Sequence, residues 1–221
     1  MKILLFGATG MIGQGVLREC LLDDRVTEVV SIARSPLGQH DPKLSEIVLP
    51  DLAAIGSVDE RLSGFDACFF CLGVSSVGMS EADYTRVTYN LTMTVAGVLV
   101  PRNPGMTFIY VTGSGTDRDS RRMWARVKAR TEDALAVMPF KGAYFFRPAF
   151  IQPLHGVVSK TRLYTAIYVA LRPFSALLAR RYPNWTTTTE RLGRAMINVA
   201  VIGYPASVLE SSDINIVSGW R

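Results

Sequence analysis

The stretch "GATGMIG" places glycines at the spacing used for binding phosphate, with Gly7, Gly10 and Gly13 directly after the apolar run "KILLF". Glycine first allows a tight turn, then lets the backbone approach a pyrophosphate, and finally lets the following helix lie close to the strand. A phosphate beyond this turn would meet free amide groups and the positive end of the helix dipole. Because the motif follows a strand pattern and precedes a helix pattern, it predicts dinucleotide binding rather than a turn without a ligand.

The second strand pattern indicates which dinucleotide is bound. About 20 residues beyond such glycines an acidic residue usually takes the ribose 2′-hydroxyl, but "EVVSIARSPLG" offers Arg34 and no carboxylate. A guanidinium suits a 2′-phosphate through a charge-assisted pair of hydrogen bonds. We therefore expect NADP, with NAD as the alternative cofactor and a solvated loop residue as the alternative for Arg34.

Two later segments are expected at the same ligand. "PDLAA" would place Asp51 and Leu52 beside the adenine, and "CLGVSS" would bring Leu72 and Gly73 close to the ribose and phosphates. In open parallel sheets ligands lie beyond the carboxyl ends of the strands, where both segments fall.

The rest of the chain supplies the elements that must position these residues. Short apolar runs rich in branched residues, such as "EVVSIA", "DACFFCL", "MTFIYVT" and "GAYFFRP", alternate with longer segments of helical period. This alternation predicts an α/β fold with a parallel sheet covered by helices on both faces. With 221 residues, 48% of them hydrophobic, we expect one domain.

Composition limits the partners and the compartment. A net charge of +5 favours anionic partners, which include a phosphorylated cofactor, a nucleic acid and a membrane surface. Glycine at position 7 interrupts the apolar run before a secretory signal could form, and an odd number of cysteines, three, gives no disulfide framework, so we expect a cytoplasmic protein. Cys68 and Cys71 should point to opposite faces of a strand as buried thiols. With only His40 and His155 in the chain, we expect no histidine-based metal site.

The motifs resemble those of the atypical or extended short-chain dehydrogenase/reductase superfamily. "GATGMIG" is similar to its GxxGxxG fingerprint, "CLG" to its fourth-strand motif, "VTGSGTD" to its fifth-strand serine segment and "RPAFIQP" to its sixth-strand segment. The likeness is greatest to small epimerase-like members, including the Tat-interacting protein group. It implies a doubly wound Rossmann fold in a single domain over 1–221, with 151–221 adding a small substrate cap, and an NAD(P) cofactor. The cofactor-binding residues implied by these motifs are Gly7, Thr9, Gly10, Met11, Ile12, Gly13, Leu72, Gly73, Lys128 and Pro148.

The resemblance also implies a catalytic set of serine, tyrosine and lysine. In "MWARVKAR" the tyrosine position of the family's YxxxK pattern is held by Trp124, and the lysine position by Lys128 one helical turn later. Indole has an N–H donor and no acceptor, and it does not release its proton at useful pH. The usual proton relay is therefore predicted to be broken, while Lys128 still holds the cofactor ribose.

The remaining members of the set have alternatives. Ser114 in "YVTGSGTD" is predicted to be the serine, with Thr112 as the alternative if the strand ends earlier. If Trp124 only packs into the core, Tyr84 or Tyr110 would supply the proton instead.

Two further segments carry charge or apolar surface. "DRDSRRMWARVKAR" has five arginines and a lysine, but acidic residues dilute it and no nucleic-acid motif accompanies it, so it predicts a solvated helix face.

The apolar segment 163–182 is interrupted by Arg172 and Pro173, which leaves each half too short to span a bilayer. We interpret it as cap helices lining a substrate pocket, with peripheral membrane contact beside Arg180 and Arg181 as the alternative.

Together these features predict an NADP-binding oxidoreductase or nucleotide-sugar epimerase-like enzyme, which acts on a small organic ligand with altered acid–base chemistry. The alternative is a catalytically weak protein that senses NADP(H) and contacts another protein.

Overall fold

The computed structural model of the protein describes residues 1–157 and 185–220. Seven strands form a parallel central sheet, and two further strands form a small separate pair. The strands are β1 (Lys2–Phe6), β2 (Glu28–Ala33), β3 (Leu44–Val48), β4 (Ala67–Phe70), β5 (Thr107–Val111), β6 (Gly142–Arg147), β7 (Phe150–Gln152), β8 (Thr186–Thr188) and β9 (Val208–Glu210).

Helices connect the strands and cover the sheet. The α-helices are α1 (Met11–Leu22), α2 (Glu81–Thr85), α3 (Leu91–Leu99), α4 (Met123–Ala136), α5 (Thr189–Ile202) and α6 (Ser211–Val217). A 3₁₀ segment, Leu52–Leu62, follows β3, and one π-helical turn, Arg86–Asn90, joins α2 to α3. None of the helices within these described ranges is long and apolar enough to cross a membrane.

The order of the strands across the central sheet is β3-β2-β1-β4-β5-β6-β9. The chain runs outward from β1 to β3, then returns to pair β4 with the other edge of β1. A crevice opens at the carboxyl ends of strands where the order reverses in this way. The doubly wound Rossmann fold expected from the sequence is confirmed.

Alternate residues of the buried strands supply the two sides of the core. Ile3 and Leu5 of β1 face the cluster formed with α1, α5 and α6, whereas Leu4 and Phe6 face the cluster formed with α3 and α4. Helix α1 belongs to the first cluster because its buried residues Gly13, Val16, Leu17 and Cys20 recur at helical spacing. The second cluster is aromatic, with the rings of Phe6 and Phe70 5.3 Å apart.

The two thiols at the end of β4 lie on opposite sides of the sheet, as predicted. Cys68 is buried in the aromatic cluster, as expected, whereas Cys71 is only partly buried, packs against the cluster beneath α1 and lines the cleft described below. All three cysteines are free.

The carboxyl-terminal part of the chain completes the main sheet. Strand β9 pairs with β6, and α5 makes its most extensive packing against α1. Residues 185–220 therefore extend the core of the Rossmann domain. The cap expected over 151–221 stays a prediction for residues 158–184, which lie outside the described residues together with the apolar segment 163–178 and its expected membrane or substrate contacts.

Replacing Gly13 by alanine should destabilise the fold by about 1–3 kcal/mol or more, as is typical of overpacking. A Cβ atom at this position would lie 2.0 Å from the carbonyl oxygen of Gly7, so α1 would have to move off the turn. Gly97, exposed in α3, is the matched control because a Cβ there meets nothing within 4 Å. Gly97→Ala should stabilise by about 0.5–1 kcal/mol. Urea unfolding measures both changes, and equal effects would contradict the account of the turn.

Candidate functional site

The turn between β1 and α1 has the geometry of a phosphate cradle. Gly7 adopts a φ of 86°, and Gly10 forms the helix N-cap with an extended φ of −84°. The Gly10 amide donates to the Gly7 carbonyl over 2.9 Å, which closes the turn. Gly10 supplies no side-chain cap and the first turn of α1 holds no acidic residue. The unpaired amides and positive dipole end of α1 are therefore available to an anion.

A cleft of about 620 Å³ runs from this turn across the carboxyl ends of β1 to β5. It brings together most of the residues predicted to bind the dinucleotide, namely Gly7, Thr9, Gly10, Met11, Ile12, Arg34, Asp51, Leu52, Leu72, Gly73 and Lys128. Thr112 also lines it, beside residues that the sequence analysis did not single out, Val87, Leu91 and Val111.

Two predicted cofactor residues lie behind the surface of the cleft. Gly13 packs against Gly7, in the close helix–strand contact expected of the third glycine. Pro148 is buried, and its carbonyl oxygen accepts a hydrogen bond of 3.0 Å from the Ser114 amide. Both support the cleft without lining it.

The structure places Thr112, rather than Ser114, at the cleft. Ser114 is exposed in the turn after β5, where its hydroxyl pairs with the Glu210 carboxyl group. Thr112 directly follows β5 and is buried at the floor of the cleft. Because β5 ends at Val111, Thr112 lies where the alternative assignment of the hydroxyl residue requires it.

None of the aromatic residues considered as proton donors lines the cleft. Trp124 on α4 is half-buried. Its ring lies beside the turn at Gly115, where its Cη2 atom would be 3.7 Å from a Cβ added to that glycine. Tyr84 and Tyr110 are 2% and 1% exposed, and burial raises the pKa of the Tyr110 phenol. Tyr110 packs its ring edge-on against Phe70 in the core. The alternative that either tyrosine supplies the proton is wrong, because neither phenol reaches the site.

Lys128 reaches the cleft from the same helix. Its Nζ atom donates to the backbone carbonyl of Thr112, which fixes the ammonium at the end of β5. Burial lowers the pKa of Lys128 to about 8, and the nearby Glu132 carboxylate opposes this shift.

A buried carboxylate organises this end of the cleft, and sequence analysis did not find it. Glu132 is 4% exposed and accepts a 2.6 Å hydrogen bond from the Thr112 hydroxyl. Arg147, on β6, donates from Nε over 3.1 Å and from a second nitrogen to the other carboxylate oxygen, which raises the pKa of the guanidinium. The sequence feature that could have indicated Glu132 is its position four residues after Lys128, because residues at this spacing lie on the same face of a helix.

At the other end of the cleft lie Arg34 and Asp51. Arg34 is exposed directly after β2, and Asp51 caps the 3₁₀ segment by accepting from the Ala53 amide over 3.0 Å. Within the described residues no ion pair engages the Arg34 guanidinium, so it is free to meet an anion.

No protein-family model matches the chain. A curated relative, the mitochondrial protein fmp52-1 of Aspergillus terreus, is 23% identical over 227 residues, which cover 96% of this chain and 92% of the relative. A solved short-chain dehydrogenase/reductase of Saccharomyces cerevisiae superposes with a TM-score of 0.69 at 13% identity, covering 96% of both chains. The enzyme WbmH of Bordetella bronchiseptica, solved in complex with NAD⁺, gives 0.64 at 17% identity over 95% of this chain and 74% of that one. The chain shares the Rossmann fold of these solved structures.

These relatives overturn the expected cytoplasmic location. The curated relatives in two Aspergillus species are named as mitochondrial proteins. The glycine at position 7 argued only against the apolar core of a secretory signal, and that argument does not bear on import into other compartments.

Replacing Lys128 by methionine should stabilise the folded protein at pH 7, because it removes a charge whose burial is unfavourable. The pKa of Lys128 is about 8 in the folded protein, against 10.5 for an unperturbed lysine. Between these values the unfolded state binds more protons, so the stability of the wild type rises with pH through this window. The gain from methionine should be full below pH 8 and shrink as the pH approaches 10.5.

Urea unfolding at several pH values measures this gain. Lys141→Met, at an exposed position after α4, controls for the loss of a lysine as such. A gain that stays constant across the window would contradict the assignment of a buried, partly deprotonated amine.

Proposed function

We propose that the protein binds a nicotinamide dinucleotide, preferentially NADP(H), and acts as an oxidoreductase on a small carbonyl or alcohol ligand. The observation that carries the proposal is Gly10. Gly7 is required by its positive φ and Gly13 by backbone packing, whereas a Cβ on Gly10 would make a single tight contact, 3.3 Å from the Gly7 carbonyl oxygen. Close approach of a ligand to the backbone supplies a further reason for glycine at this position.

The residues along the cleft match the parts of a dinucleotide in order. The amides at the start of α1 would hold the pyrophosphate, and Arg34 would hold the 2′-phosphate. Asp51 and Leu52 would flank the adenine half. Thr112 and Lys128 would lie at the nicotinamide half, beyond β5. When bound, the dinucleotide supplies or accepts a hydride, and the protein must then provide orientation and a proton.

Trp124 favours a second candidate function. Its indole stands on the catalytic helix but outside the cleft, and no phenol lines the described part of the cleft. A protein that binds NADP(H) and reports its redox state through another protein needs no proton donor. The two functions differ in turnover, while both require the dinucleotide to bind.

Gly10→Val should abolish NADPH binding and leave the protein folded. The backbone φ of −84° suits a branched residue, whereas the side chain would occupy the space through which a pyrophosphate approaches. Calorimetric titration with NADPH, together with circular dichroism, measures both properties. Wild-type affinity in the folded variant would mean that the turn is only structural.

Arg34→Ala should weaken NADPH binding about 10- to 100-fold and leave NADH binding nearly unchanged. The loss corresponds to about 1.5–3 kcal/mol for a hydrogen bond between charged groups. Arg61, exposed near the end of the 3₁₀ segment and away from the cleft lining, provides the matched control Arg61→Ala. Equal affinities of the wild type for NADPH and NADH would contradict the NADP assignment.

A further inference from the structure

We propose that Lys128 itself is the proton-transfer group of the cleft, in place of a phenol. This proposal rests on the dinucleotide function proposed above and names the group that completes its chemistry.

The sheet topology identifies which end of the cleft reacts. A dinucleotide that centres its pyrophosphate on the β1 turn and its adenine ribose on β2 must extend its other half across β4 and β5. Adjacent strands lie about 4.8 Å apart, so the ends of β3 and β5 are roughly 19 Å apart, four strand spacings. Asp51, directly beyond β3, therefore lies at the opposite end from Lys128.

The other polar groups along the cleft cannot deliver a proton at the reacting end. The Thr112 hydroxyl already donates to Glu132 Oε1 over 2.6 Å, so it can only accept from a ligand. The Cys71 thiol has its pKa raised by burial and stays neutral. Arg34 follows β2 and lies toward the adenine end, away from β5. Among the described lining residues, Lys128 is the one beside β5 that can release and regain a proton near neutral pH.

Burial lowers the pKa of Lys128, and the charges around its amine only partly oppose this shift. From its own helix, Glu132 favours the ammonium, but Arg147 on β6 pairs with that carboxylate and limits its effect. Thr112, directly after β5, contributes its neutral carbonyl, and Cys71 in the loop after β4 places a neutral thiol in the same cleft. Tyr110, also on β5, is turned into the core. A pKa of about 8 for Lys128 is close to the value that general acid–base catalysis needs near neutral pH.

The proposed step is the protonation of a carbonyl oxygen. As the carbonyl carbon accepts the hydride, the π electrons of the C=O bond move to oxygen. One N–H bond of the Lys128 ammonium breaks and an O–H bond forms, which leaves an alcohol and a neutral amine. The amine regains its proton from solvent, and alcohol oxidation is the same sequence reversed.

The first test titrates Lys128 in the unliganded protein. The chain has five lysines, so a protein labelled with ¹³C at lysine Cε gives few NMR signals. The signal that disappears in Lys128→Met belongs to Lys128. The midpoint of its chemical-shift change with pH is expected near pH 8. A midpoint at the ordinary lysine value, about 10.4, would overturn the proposal.

The second test measures NADPH-dependent reduction of a panel of aldehydes and ketones between pH 6 and 9. Lys128→Met should lower kcat by about 10²- to 10⁴-fold, and Lys128→Arg, which keeps the charge, should not restore it. Trp124→Phe, Tyr164→Phe, Tyr168→Phe and Tyr182→Phe should retain turnover. Loss of turnover in one of these tyrosine variants, with Lys128→Met still active, would overturn the proposal. A wild type that binds NADPH and reduces no compound of the panel would overturn it as well, in favour of the sensing function.

The two experiments distinguish a failure of the dinucleotide proposal from a failure of the Lys128 proposal. If NADPH does not bind although Lys128 titrates near pH 8, the dinucleotide function is wrong. If NADPH binds and Lys128 titrates as an ordinary lysine, only its role in proton transfer is wrong.

Discussion

The close approach of α1 to the end of β1 is the constraint on which the rest of the molecule depends. The backbone at Gly13 lies so near the Gly7 carbonyl that a Cβ would be 2.0 Å from the oxygen. This contact places the start of α1 directly over the sheet, at the point where the strand order reverses. It thereby sets the direction of the helix amides, and the same helix forms the surface against which α5 packs. The geometry of the glycine turn and one side of the core both follow from a contact that only glycine allows.

At the Thr112 end of the cleft, the ion pair between Glu132 and Arg147 positions the polar groups. Glu132 and Arg147 come from α4 and β6, and together they hold the Thr112 hydroxyl in one orientation. Removing Arg147 would leave the buried Glu132 carboxylate without its ion-pair partner, which is strongly unfavourable. The pair therefore ties the Thr112 end of the cleft to the correct packing of α4 on the sheet. Lys128, one turn earlier on α4, is placed by the same helix.

The sequence predicted the parts of this structure that depend on local patterns. The glycine spacing and the strand–helix alternation predicted the fold and most of the residues that line the cleft, because each pattern is encoded within a short stretch of chain. Glu132 was missed because its partner Arg147 lies on another element and its burial arises only on packing. Strand β9 was missed for a similar reason, since its three residues join the sheet only by pairing with β6. The choice between Thr112 and Ser114 depended on the residue at which β5 ends, which periodicity does not define to within two positions.

The central claim is that the cleft over the glycine turn is a dinucleotide site. Hydrogen–deuterium exchange of the wild-type protein with and without saturating NADPH tests it most directly, because it reports where the ligand binds without requiring turnover. The account predicts slower exchange in residues 7–13 and 71–75, which line or support the cleft, and unchanged exchange in α5 and α6. Unchanged exchange at the glycine turn, or protection confined to other parts of the chain, would contradict it.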